Sequence, residues 1–239
     1  MSKIFGYELR RLLWNKLFFG ALLAIVAYGW LTLTGSVIQG VAHTAPFSSW
    51  SFGYYLSQTL PLICLGELLF LAFFSSKEEH LRKPLIRSAP FEERQYMALR
   101  CGAVLTAVAI LCLCAAVLAI VFYVWLFGWM DYGELLWPAL LTLIPPILFC
   151  LGAGLILSRL HPVLLWLFMV VVILLSLLPL PPAVSLSLRD FFSQYPLTLG
   201  TADPTFQVPG WFVVSKSLTA VFGLVLAFWG TDVPEKKWI

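Results

Sequence analysis

Six long apolar runs dominate the chain and set what it can fold into. They cover 17–37, 52–74, 101–127, 136–157, 163–178 and 211–229. A helix of about 20 apolar residues crosses the hydrocarbon core of a bilayer. Only 11% of residues are charged and 61% are apolar, whereas a soluble domain carries roughly 25% charged residues. So few charges cannot cover a water-facing surface. The expected fold is all-α and integral to the membrane: six transmembrane helices in a single unit, 1–239. The third run is long enough to tilt or to extend past the bilayer. The fifth is short and follows the fourth closely, with Ser158, Arg159, His161 and Pro162 between them.

Basic residues give the orientation. Lys3, Arg10, Arg11 and Lys16 precede the first run, and Lys77, Arg82, Lys83, Arg87, Arg94 and Arg100 lie between the second and third. Arg159 follows the fourth run, and Lys236 and Lys237 follow the sixth. That leaves Arg189 and Lys216 for the other side, so the positive-inside rule puts both termini in the cytoplasm of a multi-pass protein. Trp30, Trp50, Trp129, Trp137 and Trp211 mark the outer ends, and Trp14, Trp166, Trp229 and Trp238 the inner ends, as interfacial indoles do. No signal-peptide cleavage site ends the first run convincingly, so it reads as a retained span.

Within 1–16, Phe5, Leu9, Leu12 and Leu13 recur at helical spacing, and Glu8, Arg11 and Asn15 mark another face. The pattern suits an amphipathic helix lying flat on the cytoplasmic leaflet in contact with membrane lipid. The plainer alternative is a basic topogenic flank. Cys64, Cys101, Cys112, Cys114 and Cys150 all fall in or beside apolar runs. A disulfide framework is not expected, and no His or carboxylate adjoins Cys112 and Cys114, so these read as buried apolar residues.

Segment 75–100 holds ten of the 27 charged residues and is longer than a turn between two spans requires. Ser75 with Glu78, and Ser76 with Glu79, have capping-box spacing. Pro84 interrupts any helix. Pro90 can open the next one, with Glu92 and Glu93 in a first turn that favours anions. Mixed charges with Leu81, Leu85, Ile86 and Phe91 suit docking to another protein; a solvated topogenic loop is the alternative.

These residues resemble a motif of the membrane subunits of type-2 ATP-binding-cassette (ABC) exporters. That family has an acidic residue, a short coupling helix, a Ser-x-Pro turn, and then an Arg, an aromatic and a basic residue entering the third span. Here the matching positions are Glu78 or Glu79, the stretch 80–87, Ser88-Ala89-Pro90, Arg94, Tyr96 and Arg100. Arg100 stands where Lys is usual, and a Gly common after the acidic residue is missing. The resemblance implies an ATPase-coupling surface made by Glu78, Glu79, Arg82, Lys83, Arg87, Pro90 and Arg94. It also implies a separate ABC ATPase subunit carrying ATP and Mg, a second permease subunit (identical or paralogous), and location in a bacterial plasma membrane. The chain has no Gly-x-x-x-x-Gly-Lys-Ser/Thr loop, so no phosphate cradle, cofactor or ATP hydrolysis of its own is expected.

Segment 179–210 is proline-rich, with a short helix expected over 186–195. Non-helical backbone at membrane depth must be buried in protein or face water. Re-entrant helices before the last span would satisfy this, as would a loop on the outer leaflet. By the same resemblance, Phe191, Phe192 and Tyr195 are candidates for an outer gate. Glu67 lies well inside the second run, where a carboxyl is costly. It reads either as a pathway or interface residue or as a hydrogen-bonded structural group. Lys216 is expected to snorkel outward. Pro145 and Pro146 are expected to kink or loosen the fourth span, as a hinge or as packing irregularity.

No His-Glu-x-x-His, Gly-x-Ser-x-Gly or repeated Cys/His spacing occurs, so neither an enzyme nor a metal site is expected. No basic–aromatic surface points to nucleic acid. The expected function is a permease exporting an amphipathic or lipid-like substrate, such as a peptide antibiotic, drug or lipid. The alternative is a non-transporting immunity or sensor protein that binds a peptide or lipid in the bilayer.

Overall fold

The computed structural model describes residues 2–76, 93–182, 185–201 and 203–232. Every regular element among them is helical. They are α1 (Ser2–Leu13), α2 (Lys16–Thr32), α3 (Ser49–Phe74), α4 (Glu93–Phe127), α5 (Leu136–Leu160), α6 (Pro162–Leu177), α7 (Arg189–Thr198) and α8 (Gly210–Asp232). Among the described residues, five helical stretches are long and apolar enough to cross a membrane: Lys16–Val37, Ser49–Phe74, Arg94–Phe127, Tyr132–Leu160 and Gly210–Asp232. The chain thus fits an all-α, multi-pass membrane protein. The expected fifth span is α6, at 16 residues, or about 24 Å at 1.5 Å per residue.

Local sequence explains the boundaries. The Asn15 side chain accepts from Leu17 N at 3.1 Å and caps α2, which separates α2 from α1. Ser48 caps α3 by accepting from Ser51 N at 3.2 Å. His161 Nδ1 accepts from Val163 N at 3.1 Å, and Pro162 occupies the first position of α6. At its far end α2 runs into a π-helical turn, Leu33–Val37. There Thr32, Thr34 and Ser36 donate back to the carbonyls of Tyr28, Trp30 and Thr32, the kind of bonding that loosens a helix end. Helix α5 runs unbroken through Pro145 and Pro146.

Helices α3 and α5 form the axis of the bundle. Of their most apolar windows 61% is buried, against 17% for α8. Around α3 pack α2, α4, α5, α6 and α7, and the most extensive helix pair is α5 with α8. That pair is backbone on backbone. A Cβ on Gly152 would collide with the Gly223 carbonyl oxygen, and one on Gly223 with the backbone of Leu148 and Phe149. Small residues permit such approach, which drives helix pairing where no hydrophobic effect operates. Tyr55 Oη, fully buried, donates to Ala115 O at 3.0 Å and joins α3 to α4.

Among the described residues, most polar contacts between different helices lie at the two ends. One end holds α1, the end of α3, the start of α4 and the ends of α5 and α8. Their contacts include Arg100 to Phe74 O, Arg159 to Thr231 O, and Arg94 to Asp232. The other end holds the start of α3, α7 and the start of α8. Helix α6 therefore carries the chain from the first end to the second.

Candidate functional site

The first end is a buried ionic collar built on Glu8. This residue is 3% exposed. Its Oε1 accepts from Tyr96 Oη at 2.5 Å and lies 3.7 Å from Arg100 Nη2, while its Oε2 lies 3.3 Å from Arg11 Nη1. Tyr96 and Arg100 are four apart, so α4 presents both on one face. The Arg100 guanidinium stacks over the Tyr96 and Phe74 rings at 4.5 and 4.9 Å, and its Nη1 donates to Phe74 O at 3.4 Å. A cation there also meets the negative end of the α3 dipole. Arg11 lies over Phe73 at 4.9 Å. One carboxylate thus fastens α1 to α4, and Arg100 fastens α4 to the end of α3.

This corrects the flat-helix expectation at Glu8 and at Leu12, which is buried in the core of the bundle rather than in lipid. Glu8 faces protein, because three donors on neighbouring side chains compensate its charge better than a lipid interface would. Lys3, Tyr7, Arg10 and Trp14 face outward instead. Of the expected coupling residues, Arg94 is described. Its Nε lies 3.3 Å from Asp232 Oδ1, and it stacks over Phe228 at 4.5 Å, linking α4 to the end of α8. Glu78, Glu79, Arg82, Lys83, Arg87 and Pro90 lie outside the described residues. The collar frames both stems from which their segment leaves.

The opposite end is an aromatic plug. Helix α7 starts at Arg189, three residues later than expected, because Leu188 adopts a left-handed conformation with φ 58° and Ser185 Oγ accepts its N–H at 3.3 Å. Phe191 and Phe192 are buried and Tyr195 half-buried. Phe191 stacks on Phe212 of α8 at 3.9 Å. Trp50 of α3 lies against Phe191, Phe192, Tyr195 and Phe206, with centroids 4.7–6.3 Å away. Its Nε1 donates to Pro204 O at 2.9 Å. Gly53 makes room for the Phe192 ring, which would overlap any Cβ there. The three residues singled out from the sequence therefore meet in one cluster. Each aromatic pair adds about 0.5–1.5 kcal/mol beyond area burial.

Lys216 is a second correction. It does not reach outward to water. It is 2% exposed, and its Nζ donates to Ser185 O at 2.7 Å and lies 5.5 Å from the Phe212 ring centroid. The chain before α7 is tied to α8 by this contact.

Between the ends, Glu67 is fully buried on α3, and neither of its oxygens has a hydrogen-bond partner among the described residues. Cys64 and Cys150 adjoin it. A groove of about 180 Å³ opens beside α3, α2 and α6. Its lining includes Tyr28, Ser57, Gln58 and Ser176 on those apolar helices, with Ser187 and Arg189 from the loop before α7 and its first residue. Sequence reading missed Glu8 and Cys150 as site residues. The four-residue spacing of Tyr96 and Arg100 was a signal for the collar, but nothing local pointed to Glu8 as its centre.

Comparisons with protein-family models, curated proteins and solved structures find no match to this chain.

Proposed function

We propose that this chain is the membrane permease subunit of a type-2 ABC export system, driven by a separate ATPase subunit that carries ATP and Mg. The observation that supports this most is the collar. Glu8, Arg11, Tyr96 and Arg100 brace the stems of the charged segment 77–92 against α1. A topogenic loop needs charge but no brace. A loop that transmits force from a docked motor needs both.

In this reading Glu78, Glu79, Arg82, Lys83, Arg87, Pro90 and Arg94 form the ATPase-facing surface. Six crossings bring both termini to the cytoplasm of a bacterial plasma membrane. Two permease subunits, identical or paralogous, pair above two ATPases. Helix α7 and its flanks are the re-entrant element before the last span, with Phe191, Phe192 and Tyr195 as the outer gate. The groove beside α3, apolar in most of its lining with a few polar side chains, suits an amphipathic or lipid-like cargo. ATP acts by favouring one of two permease states over the other.

The test is co-purification with an ATPase encoded beside this chain, followed by charge reversal at Glu78, Glu79, Arg82 and Arg87. The expected outcome is lost association or lost stimulation of ATP hydrolysis, with the permease still monodisperse. Unchanged association and unchanged hydrolysis in the reversed variant would sink the coupling role.

A further inference from the structure

Cys64, Glu67 and Cys150 meet where α3 packs on α5. Cys64 and Glu67 are three residues apart, one turn of one helix face, and Cys150 comes from the facing helix. The two sulfurs and a carboxylate oxygen lie within 4.8 Å of one another. The residues are 3%, 0% and 0% exposed. Both Glu67 oxygens are unpartnered among the described residues. A carboxylate at that depth without a donor is costly. Its neighbours are two thiols, which are weak donors but strong metal ligands as thiolates.

We propose that Cys64, Glu67 and Cys150 form a binding site for a thiophilic divalent cation of the zinc class. Ligand chemistry selects the metal. Two sulfurs and one carboxylate suit Zn²⁺, whereas Ca²⁺ takes six to eight oxygens and Mg²⁺ an octahedron of them. Bonds of about 2.0–2.3 Å separate tetrahedral ligands by roughly 3.5–3.8 Å. A set already within 4.8 Å reaches that by side-chain rotation, without moving a helix. Charge favours the ion too. On binding, each thiol gives up its proton to solvent, so the divalent ion replaces two protons with no change in net charge, and the Glu67 carboxylate gains a cation to pair with. Glu67 gives the third bond, which leaves one tetrahedral position for water or another ligand. The ion would cross-link α3 to α5, the two axial helices. This inference is independent of the transport reading.

The experiment uses the full chain in detergent, kept reduced, incubated with Zn²⁺ and then desalted for elemental analysis. The expected content is about one zinc per chain, lost in Cys64→Ser and Cys150→Ser and kept in Cys112→Ser. In Glu67→Gln the affinity falls by at least the roughly tenfold typical of outer-shell losses. Cobalt titration of the unaltered chain needs no substitution. It is expected to give a thiolate-to-metal charge-transfer band that zinc abolishes. The proposal is overturned by a reduced chain that holds no stoichiometric zinc and shows no such band. It is equally overturned if the double Cys64→Ser, Cys150→Ser variant binds zinc as the unaltered chain does.

Discussion

Glu8 is the residue on which one end of the molecule depends. Its carboxylate is shared by Tyr96, Arg100 and Arg11, and the Arg100 and Glu8 side chains are each 4% exposed. Removing one partner of a buried pair leaves the other charge uncompensated, at a cost of about 3–5 kcal/mol. Glu8→Ala is therefore expected to lower the thermal unfolding midpoint in detergent markedly. Arg10→Ala, on the exposed face of the same helix, should leave it nearly unchanged. Equal midpoints for the two variants would show that the collar does not hold the fold. Sequence reading located the charges here but not their sense. Glu8 falls among polar residues on the helical wheel, so amphipathicity alone turns it toward water. Only its partners, 88 and 92 positions away in the sequence, turn it inward. Glu67 was legible as an anomaly for the opposite reason: an acidic residue inside an apolar run needs no tertiary knowledge to stand out. Its neighbour Cys150 belongs to another helix and became visible only through packing.

At the scale of elements, hydropathy accounted for the apolar helices to within a few residues at most ends, because lipid leaves the backbone few alternatives to helix. The exceptions have local causes. Helix α4 is described from Glu93 and runs without a break into the apolar run from 101, with Tyr96 and Arg100 bound to neighbouring helices. Helix α7 starts late because Leu188 breaks the backbone direction. Which helices touch was not legible, since apolar runs look alike. The α5–α8 contact rests on Gly152 and Gly223, two glycines among 16. Gly223→Leu is expected to destabilise the fold by roughly 1–3 kcal/mol through overpacking. Gly20→Ala, in α2 with open space around it, should be neutral or stabilising by about 0.5–1 kcal/mol. Thermal unfolding of the two variants in detergent tests this, and an undisturbed Gly223→Leu midpoint would contradict the close approach.

For the whole molecule, the ends of the bundle carry different chemistry, ionic at one and aromatic at the other. Helix α6 is short for a span, yet it links them. Six crossings leave both termini on one side, whereas five separate them. Single cysteines at Ser2→Cys and Lys237→Cys distinguish these with a membrane-impermeant thiol reagent. Both are expected to be protected in intact cells and labelled in inverted vesicles. His43→Cys, in the exposed loop at the aromatic end, should show the reverse. Labelling of only one terminus in intact cells would exclude six crossings.

The Arg100 contact with the Phe74 carbonyl has a mechanical consequence. It staples the two stems of segment 77–92, and Glu8 adds α1 to the staple. A load applied to that segment cannot spread its stems without first breaking the buried hydrogen bond from Arg100 to Phe74 O. Under the proposed coupling, that load would pass along α3 and α4 together and take α1 with them. How the two stems move together is thus decided by residues outside the segment they carry.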